Sequence, residues 1–185
     1  EYIGNMFNIK DGQMTITPLR SRVEAVQKIA PPKTVKEIKS FCVVVNYLAL
    51  FCPNLQLELK PIYELTRKER TFQWQDAQEK AFDKVKDMLV KPPVLHLPQK
   101  EGRFIMYSDT SKLHAGSSLW QIQASTPRLI GYASKTLPQA CRNYSATELE
   151  MTGLLINIAS WKQLLHRRHF DCAVDHQALV WIMKA

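Results

Sequence analysis

The sequence predicts an α/β (α+β) protein, in which a β-hairpin and a small helical body precede an incomplete βββαβα mixed sheet. Three observations carry this. Phe104-Ile105-Met106-Tyr107 is a short apolar run between Gly102 and the polar turn Ser111-Lys112, as expected of a central strand covered on both faces. Two further strand-like runs, 116–123 and 128–134, follow across short turns and make an antiparallel meander. A long apolar helix from Ser145 to about Leu165, a strand from Phe170 to Asp175 and a last helix from about Gln177 complete the order.

The elements follow from local chemistry. Tyr2 to Ile9 and Met14 to Ile16 alternate around Lys10-Asp11-Gly12-Gln13, a hairpin signal because Gly tolerates positive φ. Thr17 as N-cap and Pro18 at the first helical position predict a helix carrying Val23, Val26 and Ile29, stopped by Pro31-Pro32. Thr34 with Glu37 is a capping box, and Ile38, Phe41, Cys42, Val45 and Leu48 repeat with a helical period up to Cys52-Pro53. Leu55–Leu65 reads as a short helix interrupted at Pro61. The charged connector at 67–70 marks the main boundary. Asp76 then opens a helix through Phe82, Val85 and Leu89, closed by Pro92-Pro93, and Val94–Pro98 is extended. The first residues resemble the middle of a strand and the last an interrupted helix, so the chain reads as a fragment.

Hydrophobic residues make up 45% of the chain, which argues against disorder. The net charge of +8, from 25 basic and 17 acidic residues, suits a polyanionic partner as well as a solvated basic surface. Lys33, Lys36 and Lys39 cluster at a helix start, where the dipole favours anions, so phosphate binding and a solvated face explain them equally. Cys42, Cys52, Cys141 and Cys172 form no CxxC pair and read as reduced, mostly buried thiols of an intracellular, cytoplasmic or nuclear, protein. The longest apolar run is far too short to span a bilayer, and no membrane partner is expected.

Three acids are candidates for chemistry. Asp109 shares a strand face with Ile105 and Tyr107. Taken alone it reads most simply as a capping acid of the turn at Thr110 and Ser111, with a metal ligand as the alternative. Glu148 and Glu150 point about 200° apart on their helix. Ser145-Ala146-Thr147-Glu148 is a capping box that assigns Glu148 to its own helix start. Glu150 remains, on the side of Gly153, Leu154 and Asn157, where Gly153 lets the helix approach the sheet. An interior carboxylate with no basic residue four positions on favours metal ligation over a surface role. Asp175 ends its strand as Asp109 does, and parallel neighbours bring both ends together, whereas Asp171 is a simple exposed acid. Three carboxylates at one rim repel one another when empty and suit Mg²⁺. Two such ions about 4 Å apart activate a water and stabilise the leaving oxygen in phosphodiester cleavage. His114, His166, His169 and His176 have no zinc-like spacing. His166-Arg167-Arg168-His169 is a basic helix exit that faces nucleic-acid backbone or water.

The motifs Phe41-Cys42-Val43-Val44-Val45-Asn46-Tyr47, Phe72-Gln73-Trp74 with Ala81-Phe82, Pro93-Val94-Leu95, Tyr107-Ser108-Asp109-Thr110-Ser111, Tyr132-Ala133-Ser134-Lys135-Thr136-Leu137, Asn143 to Glu150 and Val174-Asp175-His176 occur in one order. Together they resemble the Pol polyprotein of gypsy-type long-terminal-repeat retrotransposons over essentially the whole chain. The resemblance implies a palm-end, primer-grip-like hairpin at 1–16, a helical thumb at 17–66 that holds the template–primer duplex, and a C-terminally truncated RNase H-like domain at 67–185. It maps Asp109, Glu150 and Asp175 onto three acids of the RNase H site, with two Mg²⁺ ions. It also implies an RNA–DNA hybrid or template–primer duplex and the remainder of the polyprotein as partners. Lys33, Lys36, Lys39, Arg167 and Arg168 are the expected nucleic-acid contacts.

The expected function is Mg²⁺-dependent cleavage of RNA in RNA–DNA hybrids, without polymerase activity, since the polymerase acids lie upstream in that family. The chain departs from the family pattern where His114 replaces a glycine and where Phe41-Cys42-Val43 lacks one, and the fourth acid falls beyond Ala185. The alternative is therefore a catalytically inactive nucleic-acid-binding or domesticated scaffold module.

Overall fold

The structure, a computed structural model, describes residues 5–10, 12–67 and 71–175. Compactness divides the chain into two units, 1–94 and 95–185.

The first unit opens with the expected hairpin. Strand β1 (Asn5–Lys10) pairs antiparallel with β2 (Gln13–Pro18), closing at Lys10 opposite Gln13 with Gly12 at φ +73°. Pairing continues to Thr17 and Pro18, which removes both from the helix they were expected to start. Helix α1 (Arg20–Gln27) begins later, at Leu19, without a side-chain cap. Pro18, with no N–H to donate, ends the ladder there.

Helix α2 (Val35–Tyr47) carries its cap as expected, the Glu37 N–H donating to Thr34 Oγ1 at 3.2 Å. The Glu37 carboxylate reaches one residue further back, accepting from the Lys33 N–H at 2.7 Å. A 3-10 turn (Ala49–Phe51) leads to α3 (Leu55–Glu64), which continues through Pro61 rather than breaking there. Helix α4 (Asp76–Met88) packs on α3: Gln78 donates to the Pro61 carbonyl at 3.2 Å, and Lys84 pairs with Glu58 at 2.8 Å. Phe82 packs against Phe41 at a tilt and against Trp74 edge-to-face, with ring centroids 4.8 and 5.8 Å apart. The compact division after Val94 thus falls later than the charged connector at 67–70, because α4 belongs with the helices before it.

The second unit begins with the short strand β3 (Leu95–His96), followed by β4 (Phe104–Thr110), β5 (His114–Gln123) and β6 (Thr126–Thr136). Helix α5 (Ala146–Ser160), the single turn α6 (Lys162–Leu165) and strand β7 (Phe170–Ala173) complete it. The sheet order is β6-β5-β4-β7, with the meander antiparallel and β7 parallel to β4. This is the predicted βββαβ mixed sheet; the expected last helix lies outside the described residues. Ala124 and Ser125, both at positive φ, make the tight turn between β5 and β6 one step earlier than expected.

The expected helix from 145 to 165 breaks at Trp161. That indole turns onto the sheet, donating to Ser117 Oγ at 3.0 Å. Helix α5 covers one sheet face, where Phe104, Met106, Leu119, Ile130, Leu154 and Trp161 form the core. Its other face departs from the prediction that both sides are covered. Tyr107 is 51% exposed there, since α5 covers only the side carrying Phe104, Met106 and Ser108.

Candidate active site

The position of α5 on the sheet sets the site. A Cβ on Gly153 would lie 2.5 Å from Cγ2 and 2.8 Å from Cβ of Thr110, and closer still to its hydroxyl. Only glycine lets the helix backbone come this near the end of β4. About one turn further on, buried Asn157 donates to Ser108 Oγ at 2.8 Å and to the Gly116 carbonyl at 2.9 Å. Trp161 follows over Ser117. The contacts step backwards along β4 as the helix advances, so α5 runs antiparallel to it. Glu150, one turn before Gly153 on the same side, therefore lies at the C-terminal rim of β4. It is half-buried.

Asp109 stands at that rim, exposed, opposite Gly116. Alternation puts its side chain on the face away from α5, with Ile105 and Tyr107, as the sequence indicated. Asp175 is exposed two residues past the end of β7. The parallel register, Phe104 opposite Phe170 to Tyr107 opposite Ala173, brings both strands to the same rim. Topology thus gathers the three acids at one edge of the sheet.

They do not converge further. Among the described residues, no three His, Cys, Asp or Glu side chains are placed to hold a metal ion. Two features of the fold account for this. Asp109 and Glu150 flank β4 from opposite faces, and the chain leaves the ladder at Ala173, before Asp175. Like charges in a bare site also favour separation.

The neighbouring acids behave as the sequence indicated, with one addition. Glu148 caps its helix: its carboxylate accepts from the Ser145 N–H at 2.8 Å, and its own N–H donates to Ser145 Oγ at 3.3 Å. These bonds, the backbone one foremost, hold its carboxyl below the usual carboxylate range. Asp171 pairs with Arg103, a partnership across β7 and β4 that the sequence did not reveal.

The basic candidates are all exposed. Lys36 and Lys39 lie in the first turns of α2, and Lys33 just before its Thr34 cap. Arg167 and Arg168 occupy the turn between α6 and β7. Arg168 donates to the Gln99 carbonyl at 3.0 Å and lies 5.3 Å from the Phe104 ring centroid. All four cysteines are free; burial pushes the Cys42 and Cys52 thiols up to about 11 and about 12. No helix among the described residues is long and apolar enough to cross a membrane.

Residues 74–172 match the family model described as the RNase H-like domain found in reverse transcriptase. The chain belongs to that family. The match takes in α4 together with the four-stranded sheet and α5. Among curated relatives, the chain is 31% identical over 168 residues to a retrovirus-related Pol polyprotein from transposon 297 of Drosophila melanogaster. It is 28% identical over 167 residues to the transposon Tf2-3 polyprotein of Schizosaccharomyces pombe. These alignments cover 90% and 89% of the chain but only 16% and 12% of the relatives, so the chain spans a small part of the polyproteins it matches. They agree with the resemblance to a retrotransposon Pol polyprotein that the motifs carry.

Among solved structures, a foamy viral protease-reverse transcriptase in complex with dsDNA aligns with a TM-score of 0.78 at 16% identity, covering 97% of this chain and 38% of that one. The same viral protein in complex with an RNA/DNA hybrid gives a TM-score of 0.76 at 16% identity, over 94% and 25% of the two chains. Similarity at this level establishes the reverse transcriptase/RNase H-like fold.

Proposed function

We propose that this chain is the thumb and ribonuclease H region of a retrotransposon Pol polyprotein, cleaving RNA in RNA–DNA hybrids with Mg²⁺ as cofactor, inside the cell. The observation that carries the reading is the shared rim: Asp109 and Asp175 at parallel strand ends, and Glu150 one turn from the Gly153–Thr110 contact. Family membership and the nucleic acid bound by the foamy viral neighbours support it. Carboxylate oxygens are the donor set that hard divalent ions prefer. The acids of the bare chain stand apart, so no catalytic step follows from their present geometry. Residues 17–66 are assigned to holding the duplex, with Lys33, Lys36 and Lys39 on its phosphates.

The test is direct. The purified chain, with Mg²⁺ and a 5′-labelled RNA strand annealed to DNA, should release short RNA products, and Asp109→Asn should abolish them. An inert chain whose extension past Ala185 is equally inert refutes the assignment.

The separation of the acids favours one second reading, a nucleic-acid-binding module without activity. It requires salt-sensitive hybrid binding that persists unchanged in Asp109→Asn, with no product from either protein.

A further inference from the structure

Helix α5 is apolar on every side. Leu154, Leu155 and Ile156 follow one another in steps of about 100°. Leu154 enters the core with Phe104 and Met106, Ile156 packs on the cluster of Ala115 and Leu137, and Leu155 stays exposed. Burial of such a helix is non-directional. By itself it decides neither which side faces the sheet nor how far along β4 the helix sits.

Asn157 supplies the directional bonds. Its side chain is fully buried and donates to Ser108 Oγ at 2.8 Å and to the Gly116 carbonyl at 2.9 Å. Ser108 immediately precedes Asp109 on β4, and Gly116 stands opposite Asp109 on β5. Asn157 thus grips both backbone neighbours of that acid. Along the helix it follows Glu150 by seven residues, two turns to within about 20°, so the two share one side. Any rotation at Asn157 is passed on to Glu150. A turn of about 30° at a side-chain radius of ~5.5 Å carries a carboxylate through roughly 3 Å, more than the ~2.1 Å of an oxygen–Mg²⁺ contact. Stability alone does not account for asparagine here. Its Oδ1 is buried without a hydrogen-bond partner among the described residues, a cost that an apolar side chain would avoid. What a buried polar contact adds is a fixed register.

We propose that Asn157 is a positioning residue for the acid rim: it sets the rotation and height of α5, and so where Glu150 stands relative to Asp109. This rests on the Mg²⁺ reading above and names the contact through which the fold presents that site. Asn157 touches neither metal nor substrate and acts through Ser108, Gly116 and the helix itself.

The experiment is calorimetric titration with Mg²⁺ of the parent, Asn157→Ala, Ser108→Ala and Leu154→Val, each checked for folding by urea unfolding. Asn157→Ala should bind Mg²⁺ about tenfold more weakly than the parent, and Ser108→Ala, which removes one of the two acceptors, about threefold more weakly. Leu154→Val loosens the same helix–sheet seam without touching a directional bond, and should keep the parent's affinity to within about twofold. Unchanged affinity in Asn157→Ala overturns the proposal. So does a loss in Leu154→Val as large as that in Asn157→Ala, which would show that a looser seam, and not a lost register, is responsible. If Asn157→Ala does not fold, Ser108→Ala decides alone, and parental affinity there overturns the proposal. A parent with no saturable Mg²⁺ binding defeats the metal reading itself, and the proposal with it.

Discussion

Gly153→Ala is the substitution that most sharply probes how α5 is seated. In an isolated helix the change stabilises by about 1 kcal/mol, because alanine restricts the unfolded chain and favours helix. On this sheet the new methyl would sit 2.5 Å from Thr110 Cγ2 and 2.8 Å from its Cβ. The obstruction is stiff: Thr110 is β-branched, and its Cβ is fixed to the strand backbone. The helix must therefore shift, at a cost of about 1–3 kcal/mol for an overpacked contact, which exceeds the propensity gain. A net destabilisation of about 1 kcal/mol is expected. Thr110→Ala removes the hydroxyl and methyl that the new group meets, and that buried hydroxyl has no hydrogen-bond partner among the described residues. Thr110 Cβ itself remains 2.8 Å from the new methyl, so the double variant should recover part of the loss, giving a coupling of about 0.5 kcal/mol. Urea unfolding followed by circular dichroism, with m-values compared, reads all four proteins. If Gly153→Ala alone stabilises by the full propensity gain, α5 does not press on β4 there, and the placement of Glu150 at the rim fails with it.

Other expectations follow from the same geometry. Asn157→Ala should cost about 2 kcal/mol in urea unfolding, because Ser108 and the Gly116 carbonyl lose their buried donor. Ser145→Ala should cost about 1 kcal/mol through the lost cap. Because the Glu148 carboxyl is held below its unfolded value, its contribution is present above that value and is lost as pH falls through the depressed one. An acid titration of stability should therefore show a smaller low-pH decline in Glu148→Gln. The Cys42 and Cys52 thiols behave oppositely. They are raised from 9.0 to about 11 and about 12, so the folded chain holds more protons, and stability is full below pH 9 and falls above it. A Cys42→Ala/Cys52→Ala variant should lose that alkaline slope, measured by urea unfolding between pH 8 and 10.

Much of the second unit was legible because its signals are local. Apolar alternation placed β4, β5 and β6, and the Ser145-to-Glu148 capping box fixed both the start of α5 and the role of Glu148. Gly153 was readable as a close-approach residue, though its partner Thr110 was not, since nothing in the sequence states which strand residue a helix will meet. The misses share a cause. Thr17-Pro18 is a sound helix start, but pairing with β1 took those residues first. Trp161 sits mid-pattern in an apolar helix, yet its bond to Ser117 turns the chain out of the helix. Alternation gave the face of Asp109 correctly, whereas its distance from Glu150 depends on helix placement and on charge, which no local pattern encodes.

The central claim is that Asp109, Glu150 and Asp175 form one divalent-cation site at the C-terminal rim of β4 and β7. Calorimetric titration of the parent chain with Mg²⁺ tests it without requiring turnover. The claim predicts a saturable binding heat that is lost or greatly weakened in each of Asp109→Asn, Glu150→Gln and Asp175→Asn, while Asp171→Asn binds as the parent does. Equal binding by all five proteins, or none by the parent, contradicts it.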